Sequence, residues 1–463
     1  MKVTFHGAAQ NVTGSKHLVE TNGLKILLDC GLHQGRRREA YELNKSFAFN
    51  PNSIDAVILS HAHADHCGLL PMLVKLGFNK SIYATSATID IARLIMLDSA
   101  KVQLEDFTRL QKYAKPGDEL FPPLYSVDDV EAACELFVPA EYGEWHALGM
   151  DCRFKFYDAG HILGSAVTVL ESNESGETKR LAFTGDLGNT HVPILPEPQM
   201  IEEPIDAIIS ECTYGDRKHR NVEEANELLI KLITDAVANK TKIIMPAFAL
   251  GRTQEVVYIL HKLFNEKKIP GIPIAIDSPL GNNVTNVFKK YTDSFDEETS
   301  RDFPNHESPF MFKNMKQVVS VDESRVLEKT PGPIIIIASS GMCEGGRILH
   351  HLEDNVGNPT STIVLTGYQA EYTLGRKLLE HVSPVRIYNR WHDVKAKVLT
   401  LNEFSAHADQ DGLLAYIGSL KSLQKVFLVH SESGQAAVFK TVLAKALPKL
   451  EITVPAVGQS WEL

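Results

Sequence analysis

The stretch Val57–Leu70, VILSHAHADHCGLL, constrains this chain more than any other. An apolar run of strand character ends in His61, His63, Asp65 and His66. In an extended segment, residues two apart point to the same side, so His61 and His63 can share one cation. Asp65 and His66 fall where CGLLPMLVKLG can begin a helix, and the turn can present them to a second cation. Imidazole and carboxylate are donors that suit zinc.

Further donors recur at the ends of later apolar runs. His161 follows FKFYDA in DAGHILGSA, Asp186 follows LAF in FTGDLG, and His430 ends KVFLVHSE. A carboxylate at a strand end, such as Asp186, can bridge two ions. Together these residues are what a two-metal hydrolase needs, a site that acidifies a bridging water and stabilises both attacking and leaving oxygens. Asp29, at the end of KILLDCG, is read as the group that orients a ligand histidine from behind.

The rest of the pattern sets the frame. Short apolar runs separated by turns fill the first 90 residues, helical periodicity follows around IARLIMLDSAKVQLEDFTRLQKY, and strands resume at CRFKFYDAGH. After about residue 213, apolar strands alternate with helices, as βαβ units and a parallel sheet require. The expected architecture is an α/β domain at 1–212, an inserted Rossmann-like domain at 213–394 and a return to the first domain at 395–463. No run of 18 apolar residues spans a membrane, and MKVTFHGAAQ is a strand-like opening rather than a signal peptide, so a cytoplasmic protein is expected. Six scattered cysteines without a CxxC pair read as reduced thiols. A net charge of −11 argues against broad coating of nucleic acid while leaving room for a local basic groove.

At this point LLDCG, SHAHADH, DAGHILGS and FTGDLG resemble the successive motifs of the metallo-β-lactamase fold, which implies an αββα sandwich with a dinuclear zinc site at its edge. ISECTYGDR, FSAHADQ and FLVHSE resemble motifs A, B and C of its β-CASP branch, which processes nucleic acids. The resemblance covers essentially the whole chain. It is strongest to RNA nucleases of bacteria and archaea that lack KH modules and extends to the cleavage nuclease of pre-mRNA 3′-end processing. It assigns one zinc to His61, His63 and His161, the other to Asp65, His66 and His430, and the bridge to Asp186, with manganese tolerated by the same ligands. Glu211 matches motif A and His407 motif B. The histidine at motif C, His430, goes with members that act on RNA.

The resemblance therefore implies a zinc-dependent ribonuclease of single-stranded RNA, leaving 5′-phosphate and 3′-hydroxyl ends, with a homodimer as a candidate assembly. Catalysis is expected from Asp65, His407, Glu211 and Asp29. His407 is the candidate general acid for the leaving 3′ oxygen, and Glu211 can hold its imidazole and keep it protonated. IIIIASSGMCEGGR, a strand, a Gly-rich turn and a helix, is an anion nest in form and resembles the loop that holds substrate phosphate in that branch. Ser339, Ser340, Gly341 and Met342 in that loop, with Tyr368 and Arg252, are the expected substrate contacts. Tyr372 stands where many relatives have glycine. Two basic runs, GRRR at 35–38 and DRKHR at 216–220, can track a phosphate backbone, and His350 and His351 read as plain helix residues. A small-molecule thioesterase or lactonase of the same fold is the alternative, although a small substrate needs no second domain of this size. A non-catalytic RNA-binding subunit would be expected to lose ligand positions, and here every one is filled.

Overall fold

The computed structural model describes residues 1–463 except 116–118, 175, 191, 220–221, 305–307, 368 and 402–404. The chain forms two compact units, one of Met1–Thr190, Glu197–Lys218 and His407–Leu463, the other of His191–Pro196 and His219–Ala406.

The first unit is built on two seven-stranded sheets. In one, the strands run in the order Ser460–Glu462, Lys2–Phe5, His17–Thr21, Leu24–Leu28, Ala56–Ile58, Ile82–Ala84 and Phe137–Pro139. In the other the order is Glu451–Thr453, Lys425–Val429, Ala207–Glu211, Glu177–Phe183, Ala166–Glu174, Cys152–Asp158 and Trp145–Gly149. Alternation decides how they pack. Phe5, Val19, Ile26 and Leu28 of the first sheet meet Phe154, Leu170, Phe183 and Phe427 of the second in one buried cluster. The opposite face of the second sheet, through Val167, Ala182, Ile208 and Leu428, is covered by Leu413, Ile417, Phe439 and Leu443 of the helices Gln410–Ser419 and Ser433–Ala446. The result is the expected helix–sheet–sheet–helix sandwich.

Local chemistry fixes the helix that follows the metal-ligand candidates. Thr85 caps Ser86–Tyr113 by accepting from the Thr88 N–H, and both threonine hydroxyls donate to the Gly164 carbonyl, at 2.7 and 2.8 Å. Gly164 has φ +84° and its missing Cβ would lie 2.7 Å from Thr85, so only glycine fits this clamp on the His161 turn.

The second unit contains a six-stranded, all-parallel sheet in the order Met315–Gln317, Ile274–Asp277, Ile334–Ala338, Lys242–Pro246, Thr362–Leu365 and Lys397–Thr400. Its central strands are rich in isoleucine and almost wholly buried, as burial on both faces demands. The strand Lys397–Thr400, expected in the returning part of the first domain, instead pairs with Thr362–Leu365. The units therefore change over at Ala406/His407 and Lys218/His219, against expected boundaries at 394/395 and 212/213. The physical reason is that an apolar edge strand carries no mark of which sheet it joins. Among the described residues no helix is long and apolar enough to cross a membrane. The six cysteines are free thiols, five of them buried.

Candidate metal centre

The strand Ala56–Ile58 runs out at Leu59 and Ser60, the backbone stays extended through His63, and a short helix begins at Ala64. This turn needs room. Gly31 lies so close to it that a Cβ would sit 1.6 Å from the Asp65 carbonyl oxygen. His161 arrives on the turn after Cys152–Asp158, Asp186 after Glu177–Phe183, and His430 after Lys425–Val429.

These side chains form two facing sets. In the first, His61 Nε2 and His63 Nδ1 lie 3.0 Å apart, and His161 Nε2 is 3.3 Å from His63 Nδ1. Asp186 Oδ2 is 3.4 Å from His61 Nε2 and 3.5 Å from His161 Nε2. In the second, His66 Nε2 and His430 Nε2 are 3.2 Å apart, with Asp65 Oδ2 3.4 Å from His430 Nε2 and Asp186 Oδ1 3.4 Å from His66 Nε2. Asp186 thus offers one oxygen to each set. Its Oδ1 is buried and, among the described residues, has no hydrogen-bond partner.

The donor sets fit divalent cations. Four ligands about 2.0–2.1 Å from a tetrahedral ion stand about 3.3 Å from one another, the spacing found in the first set. Nitrogen lone pairs facing one another across such a gap, beside an unpartnered buried carboxylate oxygen, make poor sense without a cation between them. Burial pushes His61, His63 and His161 down, His63 to about 3, which keeps these imidazoles neutral as ligands must be. His66 is driven the other way: burial opposes its protonation, but Asp186 and Asp29 outweigh it and raise the imidazole well above its usual range.

Supporting groups hold the ligands. Asp29, at φ +59°, accepts from the Ser60 N–H at 2.8 Å and from the Ser15 and Ser60 hydroxyls at 3.0 Å, and its Oδ2 lies 2.7 Å from His66 Nδ1. Thr213 Oγ1 is 3.1 Å from His430 Nδ1. Sequence reading named Asp29 but not Ser15, Ser60 or Thr213. Ser60 directly precedes His61 and Thr213 stands two residues past Glu211, whereas Ser15 lies far from every ligand in the sequence.

His407 stands at the rim. Its Nδ1 is 3.1 and 3.2 Å from the two oxygens of Glu211 and 4.0 Å from Asp186 Oδ2. Glu211 is fully buried, accepts from the Leu187 N–H at 2.6 Å and the Thr213 N–H at 3.2 Å, and so is fixed in place. Burial disfavours the charged imidazole of His407, but Glu211 and then Asp186 push it up to about 9. The site thus sets a held proton donor beside two carboxylate-and-imidazole sets.

The expected substrate contacts belong to the second unit. Ser339 Oγ lies 2.9 Å from Ser278 Oγ, and Ser340 Oγ accepts from the Glu344 and Gly345 N–H groups at 3.1 and 3.3 Å. Gly341 packs on Phe248, where a Cβ would be 2.7 Å from the ring, and its carbonyl accepts from Gln369. The Met342 carbonyl accepts from the Gly375 N–H at 3.1 Å. Arg252 is buried and paired with Glu255 at 2.6 Å, so its charge is answered within the helix. Tyr368 lies outside the described residues. Tyr372 has φ +68°, a conformation natural to the glycine expected there. Behind the loop, His351 is no plain helix residue: fully buried, it sits 2.7 Å from Asp277 Oδ2. Neither basic run is bare. Arg36 and Arg38 pair with Glu39 and Glu119, Arg217 with Asp216, and Lys218 with Asp411, while Arg220 lies outside the described residues.

Comparison with known proteins completes the picture. Three family models match: the metallo-beta-lactamase superfamily over residues 14–147, the Beta-Casp domain over 253–378, and the Zn-dependent metallo-hydrolase RNA specificity domain over 391–455. Ribonuclease TTHA0252 of Thermus thermophilus is 36% identical over 96% of both chains. An RNase J-like protein of Methanocaldococcus jannaschii is 32% identical over 98% of both. The transcription termination factor FttA of the same organism is 29% identical over 97% of this chain and 70% of its own. A crystal structure of a protein of unknown function from Enterococcus faecalis V583 shares the fold with a TM-score of 0.53 at 12% identity, covering 100% of this chain and 99% of that one. The chain belongs to the β-CASP branch of the metallo-β-lactamase superfamily.

Proposed function

We propose that this chain is a zinc-dependent ribonuclease that hydrolyses phosphodiester bonds of single-stranded RNA, leaving 5′-phosphate and 3′-hydroxyl ends. The observation that carries the reading is the pairing of two facing donor sets, shared through Asp186, with a carboxylate-held imidazole at their rim. Relatives named as ribonucleases, and the match to an RNA specificity domain, support RNA as the substrate.

His61, His63, His161 and Asp186 Oδ2 would hold one ion, and Asp65, His66, His430 and Asp186 Oδ1 the other. Zinc suits these donors, and manganese is tolerated by them. Bound there, such ions supply Lewis acidity and a water acidic enough to attack at neutral pH. The chain's own groups do the rest. Asp29 locks the His66 ring through Nδ1, and Thr213 does the same for His430. Glu211 occupies Nδ1 of His407, which leaves Nε2 as the nitrogen that delivers a proton to the departing 3′ oxygen. In the second unit, Ser340 Oγ already accepts two N–H bonds, so its own proton is available to a phosphate oxygen.

The test is cleavage of a 5′-labelled mixed-sequence RNA, a matching DNA and a thioester, with metal content determined on the same sample. RNA cleavage with about two zincs per chain, slowed about 10²–10⁴-fold in His407→Ala without loss of metal, is the expected result. Intact RNA with turnover of the thioester overturns the reading in favour of a small-molecule hydrolase.

A further inference from the structure

A two-stranded ribbon in the second unit carries chemistry that the proposed hydrolytic site does not use. Val385–Ile387 pairs antiparallel with Arg390–His392 through a two-residue turn at Tyr388 and Asn389, both with positive φ (45° and 66°). That turn matches the right-handed twist of a hairpin. Alternation then sorts the side chains. Val385 and Ile387 are buried in the core of the unit, while Arg386 and its cross-strand partner Trp391 share the outer face. The Trp391 ring is 69% exposed. Tyr388, held in a conformation that bulky residues rarely adopt, stacks on His350 with ring centroids 4.9 Å apart.

The ribbon and the segment that follows it are also locally basic on an acidic protein. Residues 385–397 contain Arg386, Arg390, Lys395 and Lys397 against a single acid, Asp393, within a chain of net charge −11. Arg390 reaches Glu353 at 3.6 Å, whereas Arg386, Lys395 and Lys397 are exposed and have no ion pair among the described residues. An exposed indole whose cross-strand neighbour is an arginine offers a flat face and a positive charge side by side, which suits a planar, anionic ligand. Single-stranded nucleic acid is such a ligand, since each nucleotide brings a base face for the ring and a phosphate for the cations. A duplex hides its base faces within the stack, and a protein partner would call for a wider apolar surface than one indole and one phenol.

We propose that this ribbon, with the segment 393–397 that follows it, is a second RNA-binding surface, on which Trp391 stacks a base of single-stranded RNA while Arg386, Lys395 and Lys397 meet its backbone. It rests on the ribonuclease reading above, and is separable from it by experiment. Trp391 fills no core, so its substitution leaves the fold intact.

The full-length chain is titrated with a fluorescein-labelled 20-nucleotide oligo(U) in EDTA, which stops cleavage, and binding is followed by anisotropy. Trp391→Ala is expected to weaken binding about 5- to 100-fold, with Trp391→Phe recovering most of the loss. Arg386→Glu combined with Lys397→Glu is expected to flatten the dependence of affinity on salt. Binding of a 20-base-pair RNA duplex should not respond to Trp391→Ala. Equal affinity of wild type and Trp391→Ala for oligo(U) overturns the inference even if the chain cuts RNA. A change of oligomeric state in Trp391→Ala, read by sedimentation velocity, overturns it in favour of a contact between copies. A wild-type chain that neither binds nor cuts RNA sinks the ribonuclease reading and this surface together.

Discussion

Two buried aspartates, Asp186 just past one strand and Asp277 at the end of another, both face histidine and have opposite surroundings. Asp186 faces His61, His66, His161 and His430, and among the described residues its Oδ1 has no hydrogen-bond partner. Asp277 accepts from Ser324 Oγ at 2.5 Å and Arg347 Nη1 at 2.6 Å and lies 2.7 Å from His351 Nε2. Arg347 gives Asp277 a permanent positive charge from within the fold, whereas Asp186 is surrounded only by titratable imidazoles. Residue type and burial therefore do not distinguish a metal centre from a structural hub. The distinction is whether the chain closes its own charge balance or leaves it for a ligand to complete.

The largest test of that contrast is Asp186→Asn. The neutral amide cannot serve both sets, so metal content should fall and RNA cleavage should drop by several orders of magnitude while the chain remains folded. Elemental analysis and circular dichroism on one sample check both halves, and retained metal at wild-type level would break the contrast. Asp277→Ala should do the reverse. It strands Arg347 without a counter-charge and His351 Nε2 without its partner, and should cost roughly 3–5 kcal/mol in denaturant unfolding, with metal content unchanged. Asp277→Asn, which keeps hydrogen bonds but not charge, should cost less, about 1–3 kcal/mol.

A smaller effect is expected at Thr213→Val, which removes the hydroxyl beside His430 Nδ1 and should weaken metal affinity about 10-fold, read by competition with a chromogenic chelator. A further prediction concerns a buried ammonium that, among the described residues, donates to a single carbonyl. Lys16 is buried with its Nζ on the Gly31 carbonyl, and burial pushes it down from 10.5 to about 8. Below pH 8 the folded state bears the full penalty of a buried ammonium, and the penalty disappears as pH rises from 8 to 10.5. The stability of wild type relative to Lys16→Met should therefore improve over that interval. A difference that stays flat between pH 7 and 10.5 would show that Lys16 is not desolvated as placed.

The same contrast explains what the sequence disclosed. His61, His63, Asp65 and His66 stand side by side in the chain, so local spacing announces them, and Asp186 and His430 each follow an apolar run closely. Asp277 meets Ser324, Arg347 and His351 at separations of 47, 70 and 74 residues, in segments with no shared pattern. His351 consequently read as an ordinary helix residue. The strand Lys397–Thr400 was misplaced for a related reason, because partner choice in a sheet depends on register with remote strands rather than on composition. The sandwich itself was legible because period-two alternation and strand-end donors are local signals.

The order of the strands also bears on how the molecule comes into being. Lys425–Val429 inserts beside Ala207–Glu211, and only this late strand delivers His430, just after His407 has returned to the first unit. During vectorial synthesis every earlier ligand emerges from the ribosome before the last one exists. A nascent chain stalled before residue 430 therefore cannot complete the second donor set, however well its first two hundred residues have folded. For a protein proposed to cut RNA, made while tethered to its own message, the second donor set is thus complete only after residue 430 has been added.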